Sequence, residues 1–249
     1  MKAIVLAAGY GTRLYPLTRD CPKTLLRVAG RPMVEWVVEG IARAPGLDAV
    51  ALVTNDRFAG HHERWLARYK APCPVTVVND GTTSDADKLG AVRDIQLAKG
   101  RLGLDDDLLV VAGDNLMGLD VSAFAAFFRE KGAAAVALRD MKVSSLISRY
   151  SVVSLDSSSR ITDFEEKPPA PRSSLIAICL YAFPRRELGL LDRYLAEGGN
   201  PDAPGYYIQW MVRETAAYGW VFDAPWFDVG DIDSYNEANA RWGARQAER

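Results

Sequence analysis

The sequence is short of the features that mark secreted, membrane-spanning and zinc-dependent proteins. Its 249 residues include only three cysteines and two histidines, and the cysteines form no CxxC pair. We therefore expect neither a disulfide framework nor a structural zinc site, and a reducing compartment suits the three thiols. The longest uncharged stretch, residues 173–184, has 12 residues, well below the roughly 20 apolar residues that a membrane span needs.

A large excess of charge of one sign is also missing. The 30 Lys and Arg residues nearly balance the 32 Asp and Glu residues, which leaves a net charge of -2. Proteins that bind the phosphate backbone of nucleic acids usually carry a clear basic excess, so we expect no nucleic-acid partner. The apolar part of residues 2–9 is too short for a signal peptide, which predicts a cytosolic protein. The sequence leaves open whether the chain forms a homo-oligomer.

Short apolar runs alternate with helical patterns in the first half of the chain. Hydrophobic residues make up 49% of the sequence and charged residues 25%, as in globular proteins. Strands are predicted at residues 2–7, 49–54, 74–78 and 107–112, and helices at residues 32–44, 57–70, 86–99 and 120–130. This alternation predicts a doubly wound, mostly parallel, Rossmann-like sheet.

After about residue 132 the connections between strands become shorter, which favours antiparallel pairing. Strands are predicted at residues 133–139, 150–155, 160–164 and 175–183, and helices at residues 184–196, 206–217 and 231–245. We predict one mixed α/β domain over residues 1–249, with one half at about 1–132 and the other at about 133–240.

A small-residue loop, Gly-Tyr-Gly-Thr-Arg at residues 9–13, follows the first predicted strand. Open α/β sheets bind ligands at this edge, and Gly9 and Gly11 let the backbone approach anionic oxygens closely. Arg13 and Lys23 add positive charge nearby. The loop is not a Rossmann fingerprint, because Leu14 occupies the place of the third glycine. The Gly-Lys-Ser/Thr string of a P-loop does not occur in the sequence.

This loop and three later strings resemble the motifs of the sugar-phosphate nucleotidyltransferases, also called nucleotide-sugar pyrophosphorylases. They fall in that family's order at residues 6–14 with 16–18 and 22–23, at 113–115 (Gly-Asp-Asn), at 164–168 (Phe-Glu-Glu-Lys-Pro) and at 226–230 (Trp-Phe-Asp-Val-Gly). The resemblance covers roughly residues 2–240 and is to the short, single-domain glucose-1-phosphate thymidylyltransferase and uridylyltransferase type. It implies the nucleotide-diphospho-sugar transferase fold, with an antiparallel sugar-binding part. The implied reaction joins a nucleoside triphosphate to a sugar 1-phosphate and releases pyrophosphate.

The resemblance also implies which residues bind the triphosphate. The backbone of Leu6, Ala7, Ala8 and Gly9 would hold the base and its ribose. Gly11, Thr12 and Arg13 would wrap the phosphates, with Arg13 on the leaving pyrophosphate. Lys23 matches the signature lysine that faces the phosphates, and Gly90 is expected to contact the base.

For the acceptor and the metal, the resemblance points to residues of the later motifs. Lys167 would bind the sugar phosphate and Glu166 the sugar hydroxyls. Asp114 and Asp228 are expected to bind Mg²⁺, a cation that usually takes one or two carboxylates and fills its other positions with water and phosphate. Asp231 is interpreted instead as the N-cap of the last helix.

Several positions depart from the family pattern and limit what can be carried over. Ser151 stands where many relatives have a glycine, so the sugar contacts are expected to differ. The base-reading loop, residues 79–90, lacks the usual glutamine, which leaves uracil, thymine and cytosine open. Tyr207 and Gln209 are candidates for reading the acceptor, with core packing an equal interpretation for Tyr207.

Other functions stay open at this point. Phosphocholine or a phosphonate could replace the sugar phosphate, as in short cytidylyltransferases of the family. A non-catalytic nucleotide-sugar-binding subunit would be expected to lose Arg13, Lys23 or a metal aspartate, all of which are present. His61 and His62 are predicted to be exposed on a helix, so a zinc site or a Ser-His-Asp triad is not expected.

Overall fold

The computed structural model describes residues 1–142 and 145–247. The strands are β1 (Lys2–Leu6), β2 (Arg27–Val28), β3 (Arg31–Pro32), β4 (Ala49–Thr54), β5 (Val75–Asn79), β6 (Leu108–Ala112), β7 (Asn115–Met117), β8 (Ala134–Asp140), β9 (Ser151–Leu155), β10 (Ile161–Glu165), β11 (Leu175–Phe183), β12 (Ala217–Phe222) and β13 (Trp226–Asp228). The helices are α1 (Met33–Ile41), α2 (Asp56–Leu66), α3 (Ala91–Arg101), α4 (Val121–Lys131), α5 (Gly189–Ala196), α6 (Pro204–Glu214) and α7 (Ile232–Ala247). No helix within the described ranges is both long and apolar enough to cross a lipid bilayer.

The first half of the chain forms a parallel sheet in the order β6-β1-β4-β5. Alternate residues of β1 enter two separate cores, as the side-chain period of a strand requires. Ile4 packs in the core that includes residues of α3, α5 and α6, whereas Ala3 and Val5 pack in the core that includes α1 and α4. Helices therefore cover both faces, which confirms the doubly wound, mostly parallel arrangement.

The second half extends the same sheet by antiparallel pairing. β11 pairs antiparallel with β6, β8 and β9, and β10 pairs with β9. β12 pairs parallel with β8. Because β6 belongs to the first half and β11 to the second, one nine-stranded sheet runs through both halves. The mixed sheet with an antiparallel part is thus confirmed.

The eight predicted strands and seven predicted helices are all present, but several boundaries differ. The helix predicted at 206–217 ends at Glu214, and residues 217–222 form β12, a strand that the sequence analysis missed. The helix predicted from residue 86 begins only at Ala91, because Gly90 has a left-handed φ of 89° and ends a loop. The short strands β2, β3, β7 and β13 were also not predicted, since two or three residues carry no readable period.

Candidate active site

Two adjoining cavities open at the edge of the sheet where β1 and β6 end. The smaller, of about 390 Å³, is called here the glycine-loop cavity. The larger, of about 750 Å³, is lined mainly by residues of the second half and is called the large cavity. Arg13, Asp114 and Gly230 line both. A ligand in either cavity would therefore meet a ligand in the other at these three residues.

The glycine loop forms one wall of the smaller cavity. Gly11 is left-handed, with φ of 63°, and an added Cβ would lie 3.3 Å from side-chain atoms of Lys23 and Thr18. The Thr18 hydroxyl fixes the loop by donating a hydrogen bond to the Gly11 carbonyl oxygen at 2.7 Å. Buried Leu14 anchors the 3-10 turn Thr12–Leu14 in the core. These contacts within the chain thus fix the shape of the loop.

Most of the predicted triphosphate-binding residues line this cavity. They are Leu6, Ala7, Gly9, Gly11, Thr12, Arg13 and Lys23. Ala8 does not line it: the residue is buried, and its carbonyl oxygen accepts a hydrogen bond from Asn55 Nδ2 at 2.8 Å. Ala8 therefore ties the loop to the start of α2.

Gly90, the expected base contact, lines neither cavity. An added Cβ would overlap the carbonyl oxygen of Pro201, so the close approach of two backbone segments explains the glycine. The amide of Val92 donates to that same carbonyl oxygen at 3.0 Å. A role for Gly90 in reading the base stays a prediction.

Asp114 and Lys23 form an ion pair where the two cavities meet. Lys23 Nζ donates a short hydrogen bond to Asp114 Oδ2. Asp114 is brought there by Gly113, whose amide donates to the Leu6 carbonyl oxygen at 2.8 Å. A Cβ at Gly113 would lie only 2.9 Å from that oxygen, so the approach of the two loops requires glycine.

Asp228 lies beside Asp114 because β13 pairs with β7, which places Asp228 opposite Asn115. Burial, and then the charge of Asp114, raises the pKa of the Asp228 carboxyl to about 6, although Lys23 and Arg13 act in the opposite direction. Two neighbouring carboxylates with incompletely balanced charge suit a hard divalent cation. No cluster of three or more potential metal-binding residues occurs in the described ranges, but Mg²⁺ needs only one or two carboxylates when phosphate supplies other oxygens. The residues present therefore fit Mg²⁺.

Glu166 and Lys167 reach the large cavity from the end of β10. The Glu166 side chain is only 4% exposed, and its Oε2 accepts a short hydrogen bond from the Ser151 hydroxyl. Lys167 Nζ lies 3.5 Å from Glu166 Oε1. Lys167 has a left-handed φ of 48°, a strained conformation for a lysine, and Pro168 follows it. Both predicted acceptor residues thus line the large cavity, whereas Lys23 lines the glycine-loop cavity.

Tyr207 and Gln209 do not line either cavity. Tyr207 is 3% exposed and packs among the rings of Phe183, Tyr194 and Trp210, so the packing interpretation is the one that the structure supports. Gln209 acts behind Glu166, where its Oε1 accepts a hydrogen bond from the Glu166 amide at 2.9 Å. Direct contact of either side chain with an acceptor is not supported by this geometry.

The prediction that both histidines are exposed is wrong. His61 is half-buried and His62 is fully buried. His62 Nδ1 donates to the Phe58 carbonyl oxygen at 3.1 Å, which leaves Nε2 to accept from the Thr24 hydroxyl at 2.8 Å. Burial lowers the pKa of His62 to about 4, so the ring is neutral near pH 7. Because Thr24 lines the glycine-loop cavity beside Lys23, His62 supports that wall from behind.

The large cavity also contains residues that the sequence analysis did not select. Cys179 and Tyr181 lie on β11 at a register shift, Tyr150 packs edge-on against Trp226, and all four residues line the cavity. Cys179 has a left-handed φ of 55°, a strained conformation. The signal for this bulge is absent from the sequence, because residues 175–183 read as an uninterrupted apolar strand.

Comparison with known proteins identifies the family. The model of the nucleotidyl transferase family matches residues 2–244, so the chain belongs to that family. Similar relatives are a UTP–glucose-1-phosphate uridylyltransferase of Synechocystis sp., 29% identical over 96% of this chain and 62% of the relative, and a glucose-1-phosphate thymidylyltransferase of Streptomyces antibioticus, 33% identical over 74% of this chain and 49% of the relative. The chain spans about half to three-fifths of the length of these relatives.

Solved structures agree on the fold. A UDP-glucose pyrophosphorylase complexed with UDP-glucose superposes with a TM-score of 0.81 at 20% identity, covering 98% of both chains. The UTP-bound UDP-glucose pyrophosphorylase of Acinetobacter baumannii gives a TM-score of 0.78 at 22% identity, covering 98% of this chain and 93% of that one. The predicted nucleotide-diphospho-sugar transferase fold is confirmed.

The buried state of His62 predicts a component of acid sensitivity. Its pKa is about 4 in the folded chain against 6.5 for a free histidine, so between these values the unfolded chain binds a proton that the folded chain does not. The free energy of unfolding should therefore fall as the pH drops from 6.5 to 4, by about 3 kcal/mol from this residue. Urea unfolding at pH 7 and pH 4.5 measures the loss. His62→Gln, which can keep both hydrogen bonds but cannot titrate, should show a smaller loss, and an equal loss would contradict the assignment.

Proposed function

We propose that this chain joins a nucleoside triphosphate to a sugar 1-phosphate, giving a nucleoside-diphosphate sugar and pyrophosphate. The observation that carries the proposal is the meeting of the two cavities at Arg13 and Asp114. The triphosphate is assigned to the glycine-loop cavity and the sugar phosphate to the large cavity. This arrangement brings two anionic substrates together beside the cationic side chain of Arg13.

The chemistry follows from that charge. The two substrates together carry about five or six negative charges, since one phosphomonoester alone carries nearly two. The acceptor phosphate is already ionised, so its oxygen attacks the α-phosphorus without a general base. Arg13 and Lys23 offset the repulsion on the triphosphate side and Lys167 on the acceptor side. Such transfers depend on positioning and electrostatic stabilisation, not on a protein nucleophile.

Mg²⁺ belongs to the proposal as the cofactor. Asp114 and Asp228 would hold it, and when bound it would neutralise part of the phosphate charge. We also propose a cytosolic location, for which the three unpaired cysteines of the described chain are the support.

A matrix of substrates tests the function. UTP, dTTP, CTP, ATP and GTP are each combined with glucose, galactose, mannose and N-acetylglucosamine 1-phosphates, and pyrophosphate release is measured. We expect release that requires both substrates, and the names of the relatives make UTP or dTTP with glucose 1-phosphate the first pairs to try. Phosphocholine and a phosphonate serve as further acceptors. If only phosphocholine or the phosphonate is turned over, that compound replaces the sugar phosphate as the proposed acceptor. If no acceptor leads to pyrophosphate release, the proposed enzymatic function is refuted.

The metal assignment predicts non-additive mutants. Asp114→Asn and Asp228→Asn should each lower kcat by about two to three orders of magnitude, as expected when an electrostatic stabiliser is lost. The double variant should be little worse than either single one, because residues that act as one unit are not additive. Steady-state kinetics with and without EDTA provide the measurement. If the losses in kcat of the two single variants multiplied in the double variant, or if activity survived EDTA, the two carboxylates would not share a cation.

The separation of the cavities predicts that two lysines affect different substrates. Lys23→Ala should weaken triphosphate binding, and Lys167→Ala should raise the KM of the acceptor, each by about ten- to a hundredfold, because one charge-assisted contact is lost. Calorimetry with the triphosphate and kinetics with the acceptor separate the two effects. Lys99→Ala is the matched control, since Lys99 pairs with Asp192 and lines neither cavity. A Lys167→Ala protein that lost triphosphate affinity and kept its acceptor KM would overturn the assignment.

A further inference from the structure

The carboxylate of Glu166 is only half available to a ligand. Its Oε2 accepts the hydrogen bond of the Ser151 hydroxyl, and Ser151 itself is only 6% exposed. The pairing of β9 with β10 brings the two residues together: the ladder ends with Val152 opposite Glu165, and Ser151 and Glu166 are the residues directly beyond that last pair. The hydrogen bond is therefore built into the sheet.

The start of α6 closes over the same oxygen. A Cβ at Gly205 would overlap Glu166 Oε2 and would lie 2.5 Å from Ser151 Oγ. Gln209, one turn further along α6, holds the Glu166 amide at 2.9 Å. Three contacts thus fix the glutamate, and none of them involves Oε1.

The other oxygen, Oε1, keeps its acceptor capacity. Its nearest cation is Lys167 Nζ at 3.5 Å, which is beyond a strong hydrogen bond. Lys167 is 54% exposed and lines the large cavity together with Glu166 and Ser151. A donor on a bound acceptor can reach Oε1 while the acceptor phosphate pairs with Lys167.

We infer that Ser151 determines acceptor specificity: together with the start of α6 it occupies Glu166 Oε2, so that Glu166 meets the acceptor through Oε1 alone and cannot bind two adjacent hydroxyls with one oxygen each. The inference rests on the proposed function and deepens it. It assigns as substrate a phosphate monoester whose organic part presents a single hydrogen-bond donor to Glu166. A side chain without a hydroxyl at position 151 would free Oε2 and leave space beside it for a second donor.

Deoxy-sugar analogues test the inference. The probes are the hexose 1-phosphate that the wild-type protein turns over best, from glucose, galactose and mannose 1-phosphates, and its 2-deoxy and 3-deoxy analogues. Removing a hydroxyl that Glu166 binds should lower kcat/KM in the wild-type protein. The variant Glu166→Gln, with Ser151 kept, should abolish this loss for at most one of the two deoxy analogues. In Ser151→Ala, removal of the second hydroxyl should newly lower kcat/KM by about tenfold, because the vacated oxygen now accepts a hydrogen bond. Ser151→Thr, which keeps the hydroxyl, should retain the wild-type pattern.

The outcomes separate this inference from the proposed function. A Ser151→Ala protein with the wild-type deoxy pattern would overturn the inference. If that variant does not fold, as judged by thermal melting, the wild-type and Glu166→Gln comparison decides. Loss of both hydroxyl effects in Glu166→Gln would show that the carboxylate binds a diol despite Ser151. In either case turnover by the wild-type protein leaves the proposed function standing, whereas absence of turnover with every sugar phosphate refutes both.

Discussion

The site depends on the close contact between Gly113 and Leu6. The Gly113 amide donates to the Leu6 carbonyl oxygen, and the backbones approach so closely that no Cβ fits between them. The strands β1 and β6 run parallel and in register up to Leu6 and Ala112. Because of this contact, the segments that follow the two strands leave the sheet at the same point. The glycine loop and Asp114 therefore start side by side. Lys23 can then reach Asp114, and Thr24 packs against Gly113.

A second set of contacts ties the antiparallel half to the same point. Asn115, next to Asp114, donates a hydrogen bond from its side-chain amide to the carbonyl oxygen of Ile178 on β11. The same residue lies opposite Asp228 across the pair β7 and β13. One short strand thus positions Asp228 and braces β11, which carries Cys179 and Tyr181 into the large cavity. The two cavities adjoin because both are built outward from residues 113–115.

The sequence allowed the main strands to be predicted, because buried parallel strands are continuous apolar runs. Its glycines and charges at fixed spacing also pointed to charged residues that the structure brings to two adjoining cavities. It did not allow contacts between distant segments to be predicted. Nothing near His62 in the sequence indicates that the Thr24 hydroxyl, 38 residues earlier, donates a hydrogen bond to its ring. Likewise, Ser151 and Glu166 drew attention for separate reasons, and only the three-dimensional structure shows the hydrogen bond between their side chains. The strand β12 was missed because the predicted helix extended through its first residue, Ala217, and the rest of the strand includes Gly219.

The cations of the site differ in how they are held before any substrate binds. Lys23 is paired with Asp114, and Lys167 lies near Glu166, so each lysine is oriented by a carboxylate of its own cavity. If the substrates bind as proposed, such preorganisation would lower the entropy cost of binding, but each phosphate would have to compete with a carboxylate for its lysine. Arg13 lines both cavities, is exposed and has no hydrogen-bond partner among the described residues. A guanidinium has five donors in a planar fork that can serve two phosphate groups at once. Under the proposed function, Arg13 is therefore the cation that could contact both substrates without first breaking a hydrogen bond.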